Sequence, residues 1–379
     1  MKLLLVAGAR PNFMKIAPII HALNHVNQRN EINQRNQINY VVVHTGQHYD
    51  HEMSQAFFDE LEIGRPDYFL GVGSGSHAIQ TAGVMVEFEK VCLNEKPDLV
   101  VVVGDINSTL ACALVAAKLC IPVAHVEAGL RSYDRTMPEE INRILTDSVS
   151  DYLFTTCEDA NESLKKEGIP EERIHFVGNV MIDTLLKFKN KAGAEAKIKM
   201  NGNDYALLTL HRPSNVDNQN AFKNIIEAFQ EISKYIPIIF PAHPRTQKQI
   251  KYLGYKNYFH ILESDLTHPI NPKNSITLLN PLPYLEFLNL MTNSKLVYTD
   301  SGGIQEETTI LGIPCLTLRE NTERPVTITE GTNTIVGNNR EKILNESHKI
   351  LAGKGKKGRI PKLWDGKAAE RIVNILLRK

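Results

Sequence analysis

A series of short apolar runs that do not alternate with polar residues limits most sharply what this chain can fold into. The first are KLLLVA (Lys2–Ala7), YVVVH (Tyr40–His44), DLVVVVG (Asp98–Gly104), IPVAHVE (Ile121–Glu127) and DYLFTT (Asp151–Thr156). The series resumes with YALLTL (Tyr205–Leu210), IPIIFPAH (Ile236–His243), SITLLN (Ser275–Asn280), KLVYTD (Lys295–Asp300) and IPCLTL (Ile313–Leu318). Runs rich in β-branched residues and apolar on both faces suit a parallel sheet covered by helices. Helical patterns such as SQAFFDELEI and TLACALVAAKLC lie between them. Strand and helix in repeated alternation predict an α/β fold.

At 379 residues the chain exceeds one small core, so two domains are expected. The stretch Lys189–Asp204 has little apolar content and suits an interdomain segment. The boundaries predicted are 1–180 for the first domain and 181–364 for the second. The ending DGKAAERIVNILLRK (residues 365–379) reads as an amphipathic helix. NQRN occurs twice, from Asn27 and from Asn33, and reads as a solvated helix extension or loop insertion without chemistry.

Formal net charge is +0, which argues against nucleic acid as a partner. A small anionic ligand needs only a local basic cluster. The five cysteines (Cys92, Cys112, Cys120, Cys157, Cys315) form no CxxC pair and read as reduced core thiols. No segment reaches the ~18 consecutive apolar residues of a membrane span. The opening MKLLLVAGARPNFMK breaks too early for a signal peptide and reads as a first buried strand. The expected location is cytoplasmic.

In open parallel sheets ligands bind beyond the carboxyl ends of strands. The residues that follow the apolar runs are therefore the informative ones: GARPNFMK, HTGQHYDHE, GDINST, then HRPSN, PAHPR and DSGGIQEE. Ser301-Gly302-Gly303 follows a strand and opens a helix. Small residues there let backbone N–H groups approach a phosphate, at the end of the helix that favours negative charge. A tight turn with a capping serine is the plainer alternative. GVGSGSH (Gly71–His77) follows no clear strand and reads as a flexible loop. Arg10, Lys15, His211, Arg212, Arg245 and Arg324 all fall in loops, and paired cations are what a diphosphate requires.

The stretch HVEAGLRSYDRTMPEEINR (His125–Arg143) crowds ionisable groups at one strand end. Asp105, Glu127 and Glu139 come from adjacent strand-end loops, an arrangement that suits acid and base roles. The same spacing also fits helical ion pairs, Glu127 with Arg131 and Glu139 with Arg143. No HExxH, paired-cysteine, GxSxG or P-loop motif is present. His44, His48, His51, His125, His211 and His243 are scattered over different loops, so no metal is expected.

GARPNFMKIAP, TGQH, GDINST, HVEAGLR, PEEINR, HRPSN, DSGGIQEE and TERP occur in this order across nearly the whole chain. Together they closely resemble the non-hydrolysing UDP-N-acetylglucosamine 2-epimerases. The resemblance implies two Rossmann-like domains facing an interdomain cleft, as in GT-B glycosyltransferases, with the C-terminal helix returning to the first domain. It also implies a homodimer acting on a UDP-sugar, with no metal or redox cofactor. Carried over position by position, UDP meets Arg10, His211, Ser301, Gly302, Gly303, Glu307 and Arg324, with Phe287 at the uracil. Lys15, Asp105, Glu127, Glu139, Arg143 and His211 surround the sugar and the chemistry. The implied reaction removes the C2 proton and expels UDP to give a 2-acetamidoglucal, then re-adds UDP with a proton on the other face.

Some positions depart from the family pattern. Asn12 stands where a glutamate usually follows Arg-Pro, and TGQHYDHEM replaces TGQHREM in a loop that helps hold a regulatory UDP-sugar in bacterial members. Leu282 replaces a glutamine near the base, and the loop from Arg131 to Pro138 is shorter than in some relatives. Rival readings are an epimerase of a more decorated UDP-sugar such as a 2,3-diacetamido uronic acid, the hydrolysing relative that frees N-acetylmannosamine, a glycosyltransferase of the same fold, and a nucleotide-sugar sensor.

Overall fold

The computed structural model describes the whole chain except residues 33–36, 47–56, 196, 197, 199, 201–203, 263–274 and 379. The second NQRN, His48, His51, the YDHEM departure and the start of SQAFFDELEI therefore lie outside the described residues. Two compact units form, Met1–Thr184 with Lys362–Lys379, and Leu185–Pro361.

The first unit is built on β1 (Lys2–Ala7), β2 (Asn39–His44), β3 (Tyr68–Phe69), β4 (Leu99–Val103), β5 (Val123–Ala128), β6 (Tyr152–Thr155) and β7 (Ile174–Phe176). Their order in the sheet is β3-β2-β1-β4-β5-β6-β7, and every pairing is parallel. The second unit holds β8 (Ala206–Thr209), β9 (Ile238–Pro241), β10 (Phe259–Ile261), β11 (Ile276–Leu279), β12 (Leu296–Thr299), β13 (Cys315–Thr317) and β14 (Asn333–Ile335). These run β10-β11-β9-β8-β12-β13-β14, again all parallel. Each sheet is doubly wound, and its order reverses beside its first strand: between β1 and β4, and between β8 and β12. Ligand sites in such sheets lie at that reversal.

The strands read from the sequence are all present, and the central ones are buried throughout, as in β4 and β5. The four strands that the apolar runs did not reveal, β3, β7, β10 and β14, are the edges of the two sheets. They are two or three residues long and mostly half-exposed, so they carry no continuous apolar run.

Other local expectations meet a mixed outcome. Asn27 of the first NQRN sits on the helix Arg10–Ile32, where its side chain donates to the Ile38 carbonyl and accepts from the Ile38 N–H. The polar segment thus closes its own loop. Gly71–His77 runs into the helix His77–Glu95, capped by Ser76, and the Gly73 carbonyl accepts from Gln80. Four cysteines are buried, but Cys120 is exposed. It lies two residues beyond the helix Asn107–Lys118, in a left-handed turn that points it away from the core.

The ending forms the helix Ala368–Leu376, which packs on the helix Arg10–Ile32 within the first unit. Trp364 is buried just before it and donates from Nε1 to the Thr156 carbonyl. The Asp183 carboxylate accepts from the N–H groups of Ala368 (3.1 Å) and Ala369 (2.7 Å), capping this helix across 185 residues of sequence. We expect Asp183→Ala to lose about 1 kcal/mol of stability, and Asp183→Asn, itself a good cap, to lose less. Urea unfolding of the three proteins checks this.

Candidate active site

In the first unit the loops after β1, β4 and β5 converge. Gly8, just past β1, permits the approach: a Cβ there would lie 2.6 Å from Ser108 Oγ and 2.7 Å from both Ile106 Cδ1 and Thr45 Oγ1. Asn12 accepts from Ala9 N–H (3.1 Å) and donates to the Val103 carbonyl at the end of β4 (3.0 Å). A carboxylate could accept but not donate, so the asparagine suits this position as the structure is built.

Lys15 and Glu127 form a buried ion pair, Nζ to Oε2 2.7 Å, with side chains 8% and 1% exposed. Two such charges cost several kcal/mol each to desolvate, so the pair holds only with good geometry. The pair stands at a strained point of the backbone. Glu127 has φ 75°, and the register between β5 and β6 slips between Val126 and Ala128. A non-glycine residue held in the left-handed region costs about 1–3 kcal/mol, and such residues gather at functional sites.

The helix Pro138–Val149 supplies the next layer, and its buried residues are all polar: Glu140, Asn142, Arg143, Thr146 and Asp147. Leu145, by contrast, is 45% exposed. Arg143 donates from Nε to Asp105 Oδ2 (3.0 Å) and from a terminal nitrogen to Glu140 Oε2 (2.5 Å). Glu140 also accepts from Ser132 N–H and Tyr133 N–H, both at 2.9 Å, which fixes the loop that leads into the helix. Asp105 remains partly open, with its side chain 22% exposed.

The helical ion pairs offered as an alternative do not form. Glu127 belongs to β5 and not to a helix, and Arg131 pairs with Asp147 and Glu167 (both 2.7 Å). Arg143 takes Glu140 and Asp105 rather than Glu139. Glu139 is half-buried in the first turn of its helix and makes no ion pair among the described residues. Sequence reasoning missed Glu140 and Asp147. Their spacing from Arg143, three before and four after, marks one helical face and was the available signal. Arg10 lies elsewhere in this unit over the Phe57 ring, 4.9 Å from its centroid, and burial pushes its guanidinium down from its ordinary value.

In the second unit the loops after β8 and β12 meet at Asp300, which is buried. It accepts from His211 N–H (3.0 Å), Arg212 N–H (2.9 Å) and Asn215 Nδ2 (3.2 Å), and lies 2.9 Å from His211 Nδ1. Burial alone would raise the Asp300 carboxyl; His211 and these backbone donors outweigh it and hold it below the ordinary carboxylate range. The residue after Asp300, Ser301, is the N-cap of the helix Gly302–Leu311 by backbone shape, yet its side chain makes no capping bond.

Around that helix start stands an arginine cluster. Arg324 pairs through Nε with Glu306 (2.8 Å) and through Nη1 with Glu323. Arg319 reaches Glu323 at 2.8 Å, and Arg212 comes within 4.0 Å of it. Burial presses the Arg319 guanidinium below its ordinary value, and the neighbouring arginines add to that. Gly302 leaves room for the guanidinium: a Cβ there would lie 2.3 Å from Arg324 Nη1, so that side chain would have to shift. The sequence pointed to Arg212 and Arg324, but Arg319, Glu306 and Glu323 were not foreseen. Arg245 instead pairs with Asp217 in an exposed position.

Glu307 is buried one turn into the same helix and accepts from Tyr284 Oη (3.1 Å). Burial pushes its carboxyl up to about 8, opposed by the Tyr284 bond and helped by Glu306. Phe287 is half-buried on the helix Tyr284–Thr292, one turn on from Tyr284. His44 and His243 have local duties. His44 Nδ1 accepts from Gly46 N–H, and His243 Nδ1 caps the helix Pro244–Tyr252. No group of three or more His, Cys, Asp or Glu among the described residues is placed to hold a metal. No helix among them is long and apolar enough to cross a membrane.

Two doubly wound parallel sheets, each with its polar groups at the reversal of strand order, define an α/β protein of the GT-B-like class. A family model for UDP-N-acetylglucosamine 2-epimerase matches residues 30–377, and the chain belongs to that family of isomerases. It is 46% identical to the UDP-N-acetylglucosamine 2-epimerase of Methanocaldococcus jannaschii over 99% of both chains. A crystal structure of that archaeal epimerase with UDP-GlcNAc and UDP matches at a TM-score of 0.87 and 45% identity, covering 100% of both chains. The chain is also 40% identical, over 100% of both, to the UDP-2,3-diacetamido-2,3-dideoxy-D-glucuronate 2-epimerase of Pseudomonas aeruginosa.

Glu307 yields a pH test. An acid whose folded pKa lies above its unfolded value contributes stability that is complete below the unfolded value, near 4.5 here, and lost as pH rises through about 8. The wild type should therefore lose stability relative to Glu307→Gln between pH 6 and pH 9. Urea midpoints of the two proteins at both pH values report the difference.

Proposed function

We propose that this protein interconverts UDP-N-acetylglucosamine and UDP-N-acetylmannosamine without releasing the free sugar. A carboxylate removes the C2 proton, the C1–O bond breaks, UDP departs with that electron pair, and a 2-acetamidoglucal remains. UDP then adds back to C1 while a proton arrives on the opposite face of C2. The observation that carries this reading is the buried Lys15–Glu127 pair at a strained bulge, with Asp105 held by Arg143 in the neighbouring loop. Two carboxylates, each beside a cation, supply distinct partners for the two proton transfers. Glu139 is a third candidate for that work.

In this reading the second unit grips the leaving group. Ser301, Gly302 and Gly303 at a helix N-terminus, with Arg324 held against Gly302, offer N–H groups and a guanidinium to the diphosphate. His211, steadied by Asp300, joins them. Glu307 meets the ribose and Phe287 the uracil. The reaction needs no cofactor.

A second reading is an epimerase of a UDP-2,3-diacetamido uronic acid, favoured by the 40% identity to the Pseudomonas aeruginosa enzyme. Incubation in D2O with each UDP-sugar, followed by NMR, separates the readings. Deuterium at C2 of UDP-N-acetylmannosamine supports the first, turnover of the diacetamido uronate alone supports the second, and free N-acetylmannosamine indicates hydrolysis. Asp105→Asn and Glu127→Gln should each lower kcat by about 10²–10⁴-fold while UDP still binds. Gly302→Ala should instead weaken UDP binding at least roughly tenfold, since it displaces a charged phosphate donor. Calorimetric titration with UDP alongside turnover assays tests both statements.

The protein is also proposed to be a cytoplasmic homodimer. Ile79, Val86 and Leu93 are 71%, 56% and 59% exposed and recur every seven residues along the helix His77–Glu95, the spacing of a helix-packing seam. Val86→Glu should convert a dimer to a monomer by light scattering.

A further inference from the structure

Asp147 lies on the helix Pro138–Val149, its side chain 1% exposed. Its contacts bracket Glu127. On one side Oδ1 lies 2.6 Å from His125 Nδ1, two residues before Glu127. On the other Oδ2 accepts from Gly129 N–H (3.1 Å), two residues after it, and from Arg131 (2.7 Å). The residue between is the one forced into the left-handed region. A strained backbone persists only where its surroundings over-determine it, and here one carboxylate holds both flanks.

The grip extends to the second carboxylate. His125 Nε2 donates to the Gly104 carbonyl (2.8 Å), and Gly104 N–H donates to the Val126 carbonyl (3.0 Å). Gly104 immediately precedes Asp105. It also has no room for a side chain, because a Cβ would lie 2.9 Å from Lys15 Nζ. Asp147 and His125 therefore tie together the segments that carry Asp105 and Glu127.

We propose that Asp147 is a positioning residue for the epimerase reaction, acting through His125 and Gly129 to hold Glu127 and Asp105 in place. This rests on the proton-transfer roles proposed above. Arg131 has a second, more exposed partner in Glu167, so the outer end of the network can be loosened separately.

The test compares Asp147→Asn, His125→Asn and Glu167→Gln with wild type, using UDP-N-acetylglucosamine as substrate and UDP as binding probe. Asparagine at 147 cannot accept from every donor now served. Asp147→Asn is expected to keep UDP affinity and KM within about threefold while kcat falls roughly 10²-fold, the scale of a catalytic group misplaced by about 1 Å. His125→Asn should show the same split, and Glu167→Gln should keep wild-type kcat. Adding Asp147→Asn to Glu127→Gln should lower kcat no further, since groups that act as one unit are not additive. Should Asp147→Asn fail to fold, His125→Asn alone and combined with Glu127→Gln carries the same comparison. A lowered melting temperature with unchanged kcat per folded enzyme, or a full additive loss in the double variant, would overturn the proposal. Wild-type turnover in Glu127→Gln would instead overturn the functional reading beneath it.

Discussion

A parallel sheet covered on both faces leaves its polar groups only the strand ends, and ligand sites gather at the carboxyl ends. Everything distinctive about this protein follows from how those ends are used. The strands β4 and β5 are buried along their whole length, yet β5 carries His125 and Glu127 inside that run. Polar groups so placed persist only if each meets a partner, and Lys15, Asp147 and the Gly104 carbonyl meet them. The helix Pro138–Val149 then buries five polar residues where a helix on a sheet usually buries apolar ones. In the proposed reaction this polar face forms a wall of the site rather than part of a core.

The two units use the same topology to build opposite electrostatics. At the reversal in the first sheet, carboxylates are displayed and single cations steady them: Lys15 for Glu127, Arg143 for Asp105. At the reversal in the second, Arg212, Arg319 and Arg324 surround a helix N-terminus, and Glu306 and Glu323 hold them in place. Carboxylates suit the movement of a proton, and guanidiniums beside a helix start suit a departing diphosphate. The proposed elimination and re-addition requires both kinds of chemistry on one substrate.

Departures from the family pattern also have physical content. Asn12 is both acceptor and donor, joining the start of the first helix to the end of β4, which a glutamate could do only in part. The C-terminal helix owes its place to Asp183 and Trp364, whose partners stand far away in sequence. The loop from Ser132 to Met137 is short, and Glu140 holds its backbone directly.

The sequence by itself determined the sheet class, the central strands and the loops that carry chemistry. The reason is that burial on both faces writes a continuous apolar run, and strand ends must then hold whatever is polar. It also pointed to Asp105, Glu127, His211, Gly302 and Arg324 as site candidates, because these stand at or beside strand ends, whereas Arg143, inside a helix, was marked only by the family resemblance. Edge strands were illegible, since a half-exposed strand of two or three residues leaves no such run. Partners were illegible as well. Glu127 and Arg131 are four apart, but a strand bulge and not a helix carries the glutamate, and Arg131 turns to Asp147 and Glu167. Pairing depends on distances in space, and only the tertiary structure brings residues 104, 125, 129 and 147 within hydrogen-bond reach of one another.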